Sequence, residues 1–159
     1  MAKKGKDFKM PDPLFSFAFM NHLGAEIRDE YKDYTFNKSN PRMANKQPFP
    51  KYSKGYEKQK ATGRVNKKTV EGGYERSTAP VSSGKLKLDT KHKAGKNFID
   101  LGWDAQEYKV KNLRKMGRVL TSSSNPISHD VLKKIMPLFN KHLEKVMPKG
   151  SQTITIGKK

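Results

Sequence analysis

The stretch V-S-S-G-K-L-K-L-D-T-K-H-K-A-G-K-N-F-I-D-L-G-W-D-A-Q-E-Y-K-V-K-N-L-R-K-M-G, residues 81–117, decides the fold class. Leu86 and Leu88 alternate with Lys85 and Lys87, the period-two pattern of a strand with one buried face. Ala94-Gly95 stands between lysines, and Gly95 can supply the positive φ a tight turn needs. Phe98, Ile99 and Leu101 make a second apolar strand that Gly102 interrupts. Asp104 followed by Glu107 has capping-box spacing, so a helix is expected next, with Tyr108, Val110 and Leu113 packed on the hairpin. Gly117 is placed to end that helix. The reading is strand, turn, strand, capped helix.

Outward from this unit, the N-terminal side carries a basic tail over residues 1–11. Asp12-Pro13 then reads as a helix start. Met20, Leu23, Ile27, Tyr31 and Tyr34 recur at three- and four-residue steps, one face of an amphipathic helix of about five or six turns. Phe15, Phe17 and Phe19 cannot all face one core. Either that helix end is buried against more than one element, or some of these rings meet another subunit.

Residues 37–76 differ in composition: 11 Lys+Arg, three Glu, and Met43, Val65 and Val70 as the aliphatic side chains beyond Ala. Prolines and glycines punctuate them and no period survives. They read as a long extended arm that orders on assembly, with plain disorder as the competing reading. Its aromatic residues Phe49, Tyr52 and Tyr56, with the single tryptophan Trp103, are candidate subunit-interface anchors alongside Phe15, Phe17 and Phe19. Core packing is the competing reading for Trp103. Lys51, Lys54, Lys58, Lys60, Arg64, Lys67 and Lys68 are the cations expected to face a polyanion.

On the C-terminal side, Arg118-Val-Leu suggests a short strand. Ser128 is a good N-cap, with Asp130 in the first turn. Leu132, Ile135, Met136, Phe139, Leu143 and Val146 mark the buried face, and Pro137 should kink or divide the helix. Thr153 to Gly157 alternates as a last strand. The sum is a single α+β domain: a small antiparallel sheet, an N-terminal helix, a central crossing helix, a kinked C-terminal helix and a long extended loop.

The chain has 159 residues and a net charge of +19, from 34 Lys+Arg against 15 Asp+Glu. That charge favours a polyanion or an acidic protein surface. Lysine dominates the excess, and lysine neutralises phosphate without reading bases, so any nucleic-acid contact should be non-specific. Cysteine is absent, which excludes disulfides, thiol catalysis and cysteine zinc sites. No apolar run approaches a membrane span or the core of a signal peptide. His22, His92, His129 and His142 share no metal or catalytic spacing. Glu26, Asp29, Glu30 and Asp33 read as a solvated helix face. Neither a phosphate loop nor a dinucleotide fingerprint occurs. The chain is therefore expected not to be an enzyme and to need no cofactor or metal.

Three ordered motifs remain: Q-P-F-P-K-Y-S-K-G-Y-E-K-Q-K (47–60), S-G-K-L-K-L-D-T (83–90) and I-D-L-G-W…K-N-L-R-K-M-G-R (99–118). In this order they resemble the small neck and tail-completion proteins of tailed bacteriophages, which share a P-F-x-P-x-S-x-x-Y-x-x-x-K arm, an S-G-x-L-x-x-D strand and an I-x-x-G strand followed by a helix. The resemblance implies a structural virion protein made in the host cytoplasm. It would form a ring, usually six-fold, at the head–tail junction or tail end as neck, tail-completion or tail-terminator component. Its partners would be copies of itself, neighbouring neck or tail proteins and packaged DNA in the channel, with no membrane. Composition alone favours a second class: a non-specific nucleic-acid-binding protein, ribosome-associated or nucleoid-like.

Overall fold

The computed structural model describes residues 15–121 and 127–147. The fold is α+β: five helices and two separate two-stranded antiparallel sheets among the described residues. The elements are α1 (Phe17–Phe36), α2 (Lys54–Ala61), β1 (Arg64–Val65), β2 (Lys68–Thr69), α3 (Lys85–Leu88), β3 (Thr90–Ala94), β4 (Ile99–Trp103), α4 (Glu107–Lys115) and α5 (His129–Val146).

Helix α1 is the scaffold. Its first turn is capped by Ser16, whose Oγ accepts from the Phe19 N–H at 3.1 Å. Met20, Leu23, Ile27 and Tyr31 are buried as their spacing requires, and Phe36 joins them. The β3–β4 hairpin packs against α1, and so does α5. Phe19 near the start of α1 stacks on His142 near the end of α5, while Glu30 pairs with Lys134 at 2.6 Å, so the two helices run antiparallel. Gly24 allows the hairpin its close approach, because a Cβ there would lie 2.5 Å from His92 Cδ2.

The hairpin pairs Thr90 with Trp103 and Ala94 with Ile99. Its first strand lies five residues later than the Leu86/Leu88 alternation suggests. Gly84 adopts a left-handed φ of 73°, and Lys85–Leu88 coils into one helical turn, α3, instead. Leu86 is buried and Leu88 is 76% exposed. A four-residue turn buries one of two leucines two positions apart just as a strand end would, so alternation alone could not distinguish them. Phe98 sits just outside β4, its ring filling the space beside Gly95.

The expected capping box does not form. Asp104 pairs with Lys91 at 2.5 Å instead. The start of α4 is capped from a distance: the Gln106 N–H donates to Asp89 Oδ2 at 2.9 Å. Gly117 does end the helix, at φ 73°. The Arg118 N–H reaches Leu113 O at 2.9 Å and the Gly117 N–H reaches Arg114 O at 3.0 Å, a Schellman motif. Residues 118–120 form no strand; they are an irregular segment that buries Arg118 and Leu120.

The largest departure concerns residues 37–76. They are not an extended loop: they contain α2 and the β1–β2 hairpin, and Met43, Phe49, Val65, Val70 and Tyr74 sit in the main core with Tyr31, Phe36, Val110, Leu120 and Val131. Of the core residues of this segment only Val65 lies in a regular element, the two-residue β1, so no period betrays their burial. Tyr74 is tied to α1 through its hydroxyl, which donates to Phe36 O.

Helix α5 is capped by Ser128 and continues undivided through Pro137. Its buried residues are Val131 and Ile135, with Leu138 and Phe139 packed alongside. Leu132 and Met136, expected inside, are 40% and 48% exposed. The inward face is thus rotated by about one residue from the expected one. The basic tail 1–11, the Asp12-Pro13 helix start and the strand at 153–157 lie outside the described residues.

Candidate polyanion-binding surface

Helix α2 exists because Ser53 caps it, its Oγ accepting from the Tyr56 N–H at 3.4 Å. The helix displays Lys54 and Lys58 one turn apart, both exposed, with exposed Lys51 just before it. The β1–β2 hairpin follows at once. Asn66 and Lys67 form its tip with φ of 48° and 64°, a conformation that disfavours lysine. Arg64, Lys67 and Lys68 on this hairpin are exposed. None of these six cations is in an ion pair among the described residues. Glu57 is the sole carboxylate between residues 37 and 70.

Behind this surface lies a cluster of buried cations and aromatic rings. Lys60, expected to face a polyanion, points inward and is 1% exposed. Its Nζ donates to Ser77 O at 2.8 Å and Ala79 O at 3.1 Å, and lies 4.8 Å from the Tyr52 ring centroid. Burial, helped by Arg118, pushes its pKa down to about 8; Glu75 acts weakly the other way. Helical spacing explains the inward turn: Lys60 is two residues from Lys58 and cannot share its face.

Arg118 is 2% exposed. Its guanidinium lies over Tyr52 at 3.6 Å and near Phe49 at 5.8 Å, donates to Thr78 O at 2.9 Å, and also donates to Pro50 O. Burial lowers its pKa. Tyr52 donates to Ala79 O at 2.8 Å, meets the Tyr56 ring at 4.5 Å with the planes tilted by 39°, and has its pKa pushed up to about 12 by burial. The Schellman turn at Gly117 aims Arg118 back into this cluster. Arg118 was not among the expected functional residues, although it ends the 99–118 motif.

Six of the seven aromatic interface candidates pack within the chain. Phe49 is buried, and Tyr52 and Tyr56 are half-buried. Trp103 Nε1 donates to Thr90 Oγ1 at 3.0 Å, and its ring meets Tyr31 edge-on at 6.1 Å. Phe15 packs on Phe139 at 5.4 Å and Phe19 on His142 at 3.5 Å. Phe17, at 68% exposure, is the one aromatic of the seven left open. The structure therefore leaves Lys51, Lys54, Lys58, Arg64, Lys67 and Lys68 exposed on or beside two consecutive elements, α2 and the β1–β2 hairpin, and buries Lys60.

No protein-family model, curated protein or solved structure matches this chain. Among the described residues, no helix is long and apolar enough to cross a membrane, and no group of three or more His, Asp or Glu could hold a metal ion. Six cations without carboxylate partners among the described residues can neutralise backbone phosphates or acidic side chains.

Proposed function

We propose that this chain is a structural virion protein of a tailed bacteriophage, built into a ring at the head–tail junction or tail end. The supporting observation is that the three motifs carrying the resemblance are joined to one another by specific bonds. Arg118, from the 99–118 motif, grips Pro50 O and Tyr52 in the 47–60 motif. Asp89, from the 83–90 motif, caps α4 through Gln106. Short motifs scattered over about 70 residues thus converge on one folded unit, which is what a shared module requires. In this reading the α2 and hairpin cations face packaged DNA or acidic neighbours.

A second reading, a non-specific nucleic-acid-binding protein, is favoured by the same six unpaired cations. Salt dependence separates the two. A free-standing binder using most of them should lose affinity for duplex DNA with a slope near −0.9 in log K per phosphate contact, yet remain tight at physiological salt. A virion component should bind duplex DNA weakly there as an isolated chain. Tight, specific-salt-slope binding by the isolated chain would overturn the virion reading.

A further inference from the structure

A groove of about 480 Å³ opens at the C-terminal end of α1; none of the cations of α2 or the hairpin lines it, and its walls carry Lys32, Lys38 and Lys87 together with Asn37 and Tyr74. Asp33 is the one carboxylate among its lining residues. Two of the ammonium groups are held around a single ring. Lys38 Nζ lies 5.3 Å and Lys87 Nζ 5.5 Å from the centroid of Tyr74, which is itself buried. Lys38 also donates to Gly72 O at 2.7 Å, and Lys87 sits 3.3 Å from Glu71 Oε1. Gly73 keeps the space for this arrangement: its φ is 86°, and a Cβ there would lie 2.7 Å from Lys38 Nζ.

An ammonium has three donors; Lys38 uses one on Gly72 O, and Lys87 bonds Glu71 and Tyr74, so each keeps at least one donor for a ligand. Lys32 is half-buried and forms no ion pair among the described residues. Burial first, then Arg28 and Lys87, lower its pKa, while Asp29 opposes them. Three ammonium groups thus converge on an open groove where Asp33 and Glu71 offset them only in part. Lysine heads approach from several directions as point charges, which suits the tetrahedral oxygens of phosphate; planar carboxylate recognition would call for an arginine fork.

We propose that the Lys32–Lys38–Lys87 groove binds a phosphate group, either free phosphate or one phosphate of a nucleic-acid backbone. This site is distinct from the α2 and hairpin surface and stands independently of the virion reading.

The test is an NMR titration of the full chain, following the backbone amides of Lys38, Gly72, Tyr74 and Lys87. Inorganic phosphate is added first, then a short DNA duplex, with sodium chloride matched in ionic strength as reference. The comparison is wild type, K38Q/K87Q and the hairpin variant K67Q/K68Q. Saturable phosphate shifts, weakened about tenfold or more in K38Q/K87Q and unchanged in K67Q/K68Q, support a free-phosphate site. Shifts that saturate with the duplex and not with phosphate, and that vanish in K38Q/K87Q, support a backbone-phosphate site. Shifts no larger than those with chloride, or an affinity that K38Q/K87Q leaves intact, overturn the proposal. Should K38Q/K87Q not fold, K32Q, which removes a head group engaged in no ion pair, takes its place with the same outcomes.

Discussion

Arg118 lies against the face of Tyr52, guanidinium carbon 3.6 Å from the ring centroid, buried and in no ion pair among the described residues. Its charge is met by carbonyls of Thr78 and Pro50 and by the rings of Tyr52 and Phe49. One side chain so joins the end of α4 to residues 49–52 and 78. Arg118→Ala should lower unfolding free energy by about 3 kcal/mol, since it removes two charged hydrogen bonds and the stacked stem together. Arg118→Lys should recover less than half of that, because an ammonium cannot stack flat and bond both carbonyls. Urea midpoints measure both.

Residues 37–76 belong to the core, so deleting them should unfold the chain rather than release an arm. The deletion removes five buried core side chains, Met43, Phe49, Val65, Val70 and Tyr74. Loss of the cooperative thermal transition, followed by circular dichroism, is the expected outcome. A deletion variant that still melts cooperatively would show that the main core closes without them.

Stability should rise as pH goes from 8 towards 10 and fall above 10. The Lys60 pKa is about 8 in the fold, below its ordinary value near 10.5. The folded state therefore binds fewer protons between those values, and a destabilisation fully present below pH 8 is relieved as pH rises. Tyr52 acts oppositely: held up at about 12, it keeps its proton in the fold above pH 10, where the unfolded chain loses it. Thermal midpoints across pH 7–12 should peak near pH 10, and Lys60→Met should flatten the rising limb.

Gly24→Ala should destabilise by about 1–3 kcal/mol although alanine is the better helix former by about 1 kcal/mol. The added methyl would meet His92 at 2.5 Å. Combining it with His92→Ala should recover most of the loss, a coupling that a double-mutant cycle reads directly.

Lys67 holds a left-handed φ of 64° at the hairpin tip. Lys67→Gly should raise stability by about 0.5–1 kcal/mol and weaken polyanion binding at low salt. A gain in stability without any loss of polyanion affinity would remove Lys67 from the binding surface.

Much of the fold was legible in side-chain spacing. The buried stripe of α1, the second strand and the stop at Gly117 follow from period and cap chemistry. The hairpin does turn after Ala94, but without the positive φ expected at Gly95. Leu86/Leu88 misled because alternation over four residues describes a helical turn as well as a strand. Residues 37–76 misled because their burial depends on contacts distant in sequence: Val70 and Tyr74 stand four apart with no helix between them, and share a core with Tyr31, Phe36 and Leu120. The cations were legible as a class, but not individually. Lys60 is separated from Lys58 by a helical rotation invisible in composition, and Arg118 is buried by a Schellman turn and an aromatic partner 66 positions earlier.

The measurement closest to the central claim is quantitative mass spectrometry of purified tailed particles from cells that make this chain. The virion reading predicts a small, fixed number of copies per particle, the same in full and DNA-empty heads. Absence from the particles, or a copy number that scales with packaged DNA, would contradict it.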